Sequence, residues 1–240
     1  MHNSLGMPCA GYEEEEKVLP DKLEIAHAKG KKLIWNFAPV TDCPAEESLE
    51  GIQRAFAAGV DGVILNAGCP NVKDTDGTQH AILSRNPQAF GKVLSFLREA
   101  NLPEPIWVRL SPQESFSNMS VIGNHIKNSG IVSAVLVPNT WSVDMPIKDN
   151  GESLLDTNTE KVGKSGPAMA TGARKETAWA VSALKGSNVD VISSSSIMDE
   201  KELKHRLGQG AVAGAGTTFF YASENGWSQD VDRLLWDFAT

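Results

Sequence analysis

The chain has 240 residues, of which 41% are hydrophobic and 22% charged, and its formal net charge is -8. This size suits one α/β domain with a sizeable core. The acidic balance argues against nucleic acid or an anionic membrane as a partner, because both bind clustered Lys and Arg. No apolar run reaches the roughly 20 residues of a membrane span, and the three cysteines lack disulfide or zinc spacing. We expect a cytoplasmic protein with a small-molecule ligand.

Short β-rich runs alternate with helical patterns along the chain, which is typical of βαβ units around a parallel sheet. A helix over residues 13–30 comes first and has no strand before it. Strands are predicted over residues 33–38, 62–65, 105–110, 134–137, 189–192 and 211–217. Helices are predicted after them over residues 46–58, 87–100, 116–128, 173–185, 199–207 and 227–238. The long segment 141–164 is predicted to be a lid or a locally ordered insertion.

Polar residues stand at the carboxyl ends of nearly all the predicted strands, rather than at the single switch point of a doubly wound sheet. A ring of this kind is typical of the top face of a (β/α)8 barrel. The sequence therefore predicts an α/β fold of the (β/α)8 TIM-barrel type, with one domain over residues 1–240. Six units and a helix without its strand predict a barrel that lacks its first two strands, and its open edges favour a homodimer.

Residues 65–71, Leu-Asn-Ala-Gly-Cys-Pro-Asn, place a thiol between carboxamides where an apolar strand ends. Pro70 turns the backbone away from the strand directly after Cys69, so the thiol is a candidate acid, base or nucleophile. A small buried hydrophobe is the alternative for a lone cysteine. Four asparagines at candidate site positions can donate and accept at once, which suits a planar ligand with C=O and N–H edges: Asn3, Asn66, Asn71 and Asn139.

Small residues end the last two predicted strands, with four serines over 193–196 and a glycine-rich run over 214–218. Barrels commonly bind a phosphate at these two positions, although a serine-rich N-cap and close packing are the alternatives. The Gly-Lys-Ser-Gly-Pro turn over 163–167 is a third candidate for phosphate, without Walker-A spacing. Arg109 ends an apolar strand and needs a counter-charge, either a structural ion pair or an electron-rich ligand. The five histidines show no metal-ligand spacing, and no metal site is predicted.

Together these motifs resemble the class 1 dihydroorotate dehydrogenases, the FMN-dependent (β/α)8 barrels of pyrimidine biosynthesis, over essentially the whole chain. Residues 3–8 (Asn-Ser-Leu-Gly-Met-Pro) are similar to the substrate loop of that family, and residues 65–71 resemble its Asn-x-x-Cys-Pro-Asn active-site segment. Residues 137–140 resemble its second orotate-binding strand end. Residues 163–166 resemble its flavin loop, and Gly216-Thr217 its phosphate-binding end.

The resemblance implies that Cys69 is the base that removes a proton from C5 of dihydroorotate, while hydride passes from C6 to the flavin N5. It implies that dihydroorotate and orotate are held by Asn3, Gly6, Met7, Asn66, Asn71, Asn139 and Thr140. It implies that FMN is held by Asn36, Asn66, Arg109, Val137, Ser165, Gly166, Ser195, Ser196, Gly216 and Thr217. Arg109 stands where the family usually has a lysine, and Ser195 and Ser196 stand where it has a glycine pair.

Two alternative functions stay open at the level of sequence. The missing strands favour a non-catalytic or truncated remnant of the same family that binds flavin weakly. Gly68-Cys69-Pro70 is also similar to the tRNA dihydrouridine synthases, flavin barrels in which a cysteine acts as an acid on a tRNA base, although this acidic chain has no basic domain for the RNA backbone. The sequence does not indicate the electron acceptor.

Overall fold

The computed structural model describes residues 2–3, 11–69, 81–155 and 161–215. The chain starts in β1 (His2–Asn3), α1 (Tyr12–Ala28), β2 (Ile34–Phe37), α2 (Pro44–Ala57), β3 (Gly62–Asn66) and α3 (Pro87–Arg98). It continues through β4 (Ile106–Arg109), α4 (Phe116–Ser129), β5 (Val132–Val137), β6 (Trp141–Asp144) and β7 (Lys161–Lys164). It goes on through α5 (Ala170–Ala183), β8 (Asp190–Ser194), α6 (Glu200–Gly208) and β9 (Ala213–Ala215). None of the described helices combines the length and apolar composition of a membrane span.

The predicted alternation of strands and helices is confirmed, with element ends shifted by at most three residues in the described part of the chain. The predicted helix over 227–238 and the end of the last strand, residues 216–217, lie outside the described residues. Side-chain caps explain several helix starts: Asn86, Ser115 and Asp199 each accept a hydrogen bond from a backbone N–H in the first turn of α3, α4 and α6. At the other end of α4, Gly130 takes a left-handed φ of 69° and stops the helix.

Six parallel strands form one sheet in the order β2-β3-β4-β5-β8-β9. Each strand pairs with the strand of the next βα unit, and all these pairs are parallel. A doubly wound sheet would reverse its order at a switch point, so this unbroken order is that of a barrel wall. The α/β fold of TIM-barrel type is therefore confirmed, with six barrel strands in the described residues.

The two faces of this sheet differ in burial. Val63, Leu65 and Val108 are fully buried and pack against the helices in two hydrophobic clusters. The alternate residues, such as Ile64 and Trp107, lie on the opposite face and are only half-buried, as the period of two in a strand requires. The half-buried face is the inner wall of the barrel, and it leads to the strand ends that carry the polar residues.

A second, three-stranded sheet in the order β1-β7-β6 covers part of the segment 141–164. β6 and β7 form an antiparallel pair, and β1 pairs antiparallel with β7, with Asn3 opposite Gly163. The described parts of the segment, residues 141–155 and 161–164, thus contain local β structure, as the insertion alternative predicts. The pairing of β1 with β7 brings the backbone of the predicted substrate segment next to the predicted flavin loop.

Candidate active site

The carboxyl ends of β3 and β4 bring two of the predicted site residues side by side. Asn66 is the last residue of β3 and pairs in register with Arg109, the last residue of β4. Arg109 in turn lies beside Leu136 of β5. Because parallel strands end at the same edge of a sheet, these side chains share the mouth of the barrel with the loops that follow.

A pair of buried asparagines orders the turn that leads to Cys69. Asn139 Nδ2 donates to Asn66 Oδ1 at 3.2 Å and to the Gly68 carbonyl at 3.0 Å. Asn66 Oδ1 also accepts from the Gly68 N–H at 3.3 Å, and Asn139 Oδ1 accepts from the Thr140 N–H at 2.8 Å. Asn66 and Asn139 are 4% and 5% exposed. The loops after β3 and β5 are therefore held together directly before the thiol.

Gly68 allows the Cys69 turn to lie directly against the loop after β4. A Cβ at Gly68 would lie 2.4 Å from the Ser111 backbone nitrogen, so a side chain there would displace backbone rather than a flexible group. Ser111 is fixed in turn, because its N–H donates to Ser84 Oγ at 3.0 Å and its hydroxyl lies 2.8 Å from the same oxygen. The half-buried Cys69 is thus held at a defined place at the barrel mouth.

Arg109 provides the positive charge of this site. Burial lowers the pKa of its guanidinium, and the neighbouring Cys69 acts in the opposite direction. Among the described residues, no carboxylate forms an ion pair with Arg109. The structural ion pair that the sequence left open for Arg109 is therefore not found in this part of the chain, and a nearby cation favours the thiolate form of a cysteine.

Two cavities lie near these strand ends. A cavity of about 200 Å³ is lined by Asn66 and Cys69 together with residues of the β2–α2 loop. A second cavity of about 400 Å³ lies between α1 and β2, and the exposed Asn36 lines it. The first adjoins the thiol and is the candidate reaction site, whereas the larger one does not contact Cys69; Arg109 lines neither of these two cavities.

A hydrogen bond joins the predicted phosphate end to the predicted flavin loop. Ser196 Oγ donates to the Gly166 carbonyl at 2.7 Å, which joins the turn after β8 to the turn after β7. Ser195 and Ser196 have left-handed φ values of 64° and 62°, a conformation that costs about 1–2 kcal/mol per residue for amino acids with a Cβ. Ser165, half-buried, lies beside Gly166 in the same turn.

Val137 differs from the other predicted cofactor residues. Its side chain is fully buried in the hydrophobic cluster that faces the helices. Side chains along a strand alternate between the two faces of the sheet, so the side chain of Val137 points away from the inner wall of the barrel. Only its backbone, paired with Ser193 of β8, is left to face a ligand. Gly6, Met7, Asn71, Gly216 and Thr217 lie outside the described residues, and of Asn3 only the backbone is described.

Sequence reasoning missed a buried polar cluster behind the end of β4. Gln113 Nε2 donates to the Ser84 carbonyl at 3.1 Å and to the Ser111 carbonyl at 2.9 Å, and the Gln113 N–H donates to Glu176 Oε1 at 3.1 Å. Glu176 is 2% exposed, and its other oxygen, Oε2, has no hydrogen-bond partner within the described residues. Burial raises the pKa of Glu176 to about 7. No sequence motif marks it.

The fold and site define a parallel α/β barrel with a thiol, a cation and paired carboxamides at its mouth. A family model described as dihydroorotate dehydrogenase matches residues 1–237. The chain therefore belongs to the dihydroorotate dehydrogenase family.

Comparison with solved structures agrees with this assignment at the level of fold. The crystal structure of DHODH from Eimeria tenella in complex with ferulenol is similar, with a TM-score of 0.74 and 18% sequence identity. The likeness covers 98% of this chain and 66% of that chain, so this chain spans about two thirds of the length of that structure. Comparison with curated protein sequences gives no match.

Proposed function

We propose that the protein oxidises dihydroorotate to orotate with FMN as its cofactor, and that it is of the class 1 type with Cys69 as the base. The observation that carries this proposal is the neighbouring thiol and cation, Cys69 and Arg109, at the carboxyl ends of adjacent barrel strands. Membership of the dihydroorotate dehydrogenase family supports it.

The residues present fit FMN at both ends of the cofactor. Arg109 has no carboxylate partner in the described part of the chain, and a guanidinium in that state suits an electron-rich ring. The turn after β8 has two left-handed residues, Ser195 and Ser196, and backbone N–H groups in such turns suit an anion such as a phosphate. Ser195, Ser196 and Gly166 would hold the phosphate end, and Arg109 would lie at the ring.

In this mechanism dihydroorotate loses a proton from C5 and a hydride from C6, and FMN supplies the two-electron acceptor when bound. The Cys69 thiolate takes the C5 proton. A free thiol has a pKa near 8.5, and the Arg109 cation favours the charged form that acts as a base. Asn66 and Asn139 hold the turn that carries the thiol. They keep its sulfur at one place relative to the substrate.

The direct test is flavin binding followed by reduction. Purified protein mixed with FMN and freed of excess ligand is expected to be yellow. Anaerobic dihydroorotate is expected to bleach the flavin absorbance and to yield orotate in equal amount. Protein that binds no FMN would overturn the proposal as a whole. If FMN binds but stays oxidised when dihydroorotate is added, the protein would still be a flavoprotein and the proposed substrate would be wrong.

Arg109 gives a second prediction. Arg109→Met is expected to bind FMN about tenfold more weakly, because a hydrogen bond to a charged group contributes about 1.5 kcal/mol or more. Arg109→Lys keeps the charge and is expected to lose less. Flavin fluorescence titration measures both variants. Arg98→Met, which removes an exposed arginine on α3, is the control. Unchanged FMN affinity in Arg109→Met would show that the guanidinium does not contact the cofactor.

A further inference from the structure

Arg206 of α6 is fully buried and lies below the turn after β8. Its Nη1 donates to Ser193 Oγ at 2.9 Å and its Nη2 to the Ser195 carbonyl at 3.4 Å. Its Nε donates to Glu202, one helical turn earlier. A buried arginine is costly unless its donors are used, and this one uses them to reach from α6 to the residues that precede and form the turn.

The hydrogen bonds around Arg206 have a fixed direction. Thr177 Oγ1 donates to the Ala173 carbonyl at 2.9 Å, so in its 2.7 Å contact with Ser193 the threonine oxygen must accept. Ser193 therefore gives its single proton to Thr177 and accepts from Arg206. This leaves the Ser193 hydroxyl with no proton for a ligand. The role of Ser193 and Thr177 is to hold the guanidinium.

Glu202 is the carboxylate partner of two arginines in this cluster. It pairs with the buried Arg206 and with Arg174, which is 43% exposed. Burial alone would raise the pKa of Glu202, but the two guanidinium groups lower it. If Arg206 were removed, Glu202 would keep Arg174 as its partner, and no unpaired charge would be left in the interior. Variants of Arg206 are therefore expected to fold.

Resting on the proposed function, we propose that Arg206 is a positioning residue for the phosphate of the cofactor. It holds Ser195 and Ser196 in the left-handed conformation by binding the Ser195 carbonyl and, through Ser193, the end of β8. Glycine adopts this conformation without strain, whereas serine does not. The contact from α6, together with the bond from Ser196 to Gly166, keeps the two serine N–H groups in one arrangement for an anion.

The test compares FMN with riboflavin, which has the same ring and no phosphate. Arg206→Met is expected to bind FMN about tenfold more weakly than the wild-type protein and to bind riboflavin equally well. The FMN affinity of Arg206→Lys is expected to lie between those of the wild-type protein and Arg206→Met. Arg174→Met, which removes the other partner of Glu202 and none of the contacts to the turn, is the control and is expected to change neither affinity. Ser193→Ala, a smaller change, is expected to weaken FMN alone.

The possible results separate this inference from the proposed function. The wild-type protein is expected to bind FMN more tightly than riboflavin. If the ratio of the two affinities is the same in Arg206→Met and Ser193→Ala as in the wild-type protein, the inference is wrong and the proposed function stands. An equal loss of both ligands in these variants would assign Arg206 a general structural role and also overturn it. Wild-type protein that binds neither flavin would overturn both proposals.

Discussion

Replacement of Cys69 by alanine is expected to leave FMN bound and to slow flavin reduction by dihydroorotate by about 10²- to 10⁴-fold, the usual contribution of a positioned general base. The cysteine lies beside Arg109 at the barrel mouth, and the phosphate end of the proposed cofactor site lies on other elements, at Ser195 and Ser196. The variant therefore removes the proton acceptor without removing the proposed contacts to FMN. Stopped-flow absorbance under anaerobic conditions measures the reduction rate.

Two companion variants test the Cys69 prediction. Cys43→Ala changes an exposed cysteine at the start of α2 and is expected to keep the wild-type rate. Cys69→Ser is expected to reduce flavin slowly and to gain rate as the pH rises, because a hydroxyl is a far weaker acid than a thiol. Reduction of Cys69→Ala at the wild-type rate would show that the thiol is structural. Loss of FMN from the variant would show that it contacts the cofactor.

Glu176→Gln is expected to stabilise the protein at pH 8 by about 3 kcal/mol and to leave its stability nearly unchanged at pH 4. The pKa of Glu176 is raised by burial from its ordinary value near 4.5 to about 7. The folded state therefore holds a proton between these pH values that the unfolded state releases, and the free energy of unfolding falls as pH rises through this window. A shift of about 2.5 pH units corresponds to about 3 kcal/mol.

Denaturant unfolding of both proteins across this pH range measures the effect. Glutamine keeps the size of the side chain and an acceptor for the Gln113 N–H, but it cannot ionise. Glu99→Gln, at a residue with a 73% exposed side chain, serves as the matched control and is expected to follow the wild-type profile. Parallel curves for Glu176→Gln and the wild-type protein would contradict the raised pKa.

The barrel strands were predictable because their signals are local. A strand such as β3 is a short apolar run after a glycine turn, and three of the helices, α3, α4 and α6, begin at a side-chain cap. β6 and β7 carried no comparable signal. Each has four residues, and their pairing depends on each other and on β1, which is more than a hundred residues away in the chain. Hydrophobic periodicity is a local signal and does not indicate pairing between strands that far apart in the chain.

The candidate site likewise contains residues that were predictable from the sequence and residues that were not. Asn66, Cys69, Arg109 and Asn139 were predictable as a group, because parallel strands bring their carboxyl ends to one edge. Glu176 and Arg206 were not, since a charged residue on a helix is usually exposed, and only packing against the sheet reveals that these two are buried. The inward or outward direction of Val137 and Leu136 could have been derived from the alternation along β5.

The unbroken strand order also bears on the order of assembly. Each barrel strand pairs with the barrel strand made directly before or after it, so the wall can grow unit by unit during synthesis, as domains rich in local contacts do. β1 is the exception, because its partner is β7, at Lys161–Lys164. β1 must therefore wait for its partner until β2 to β7 have been made.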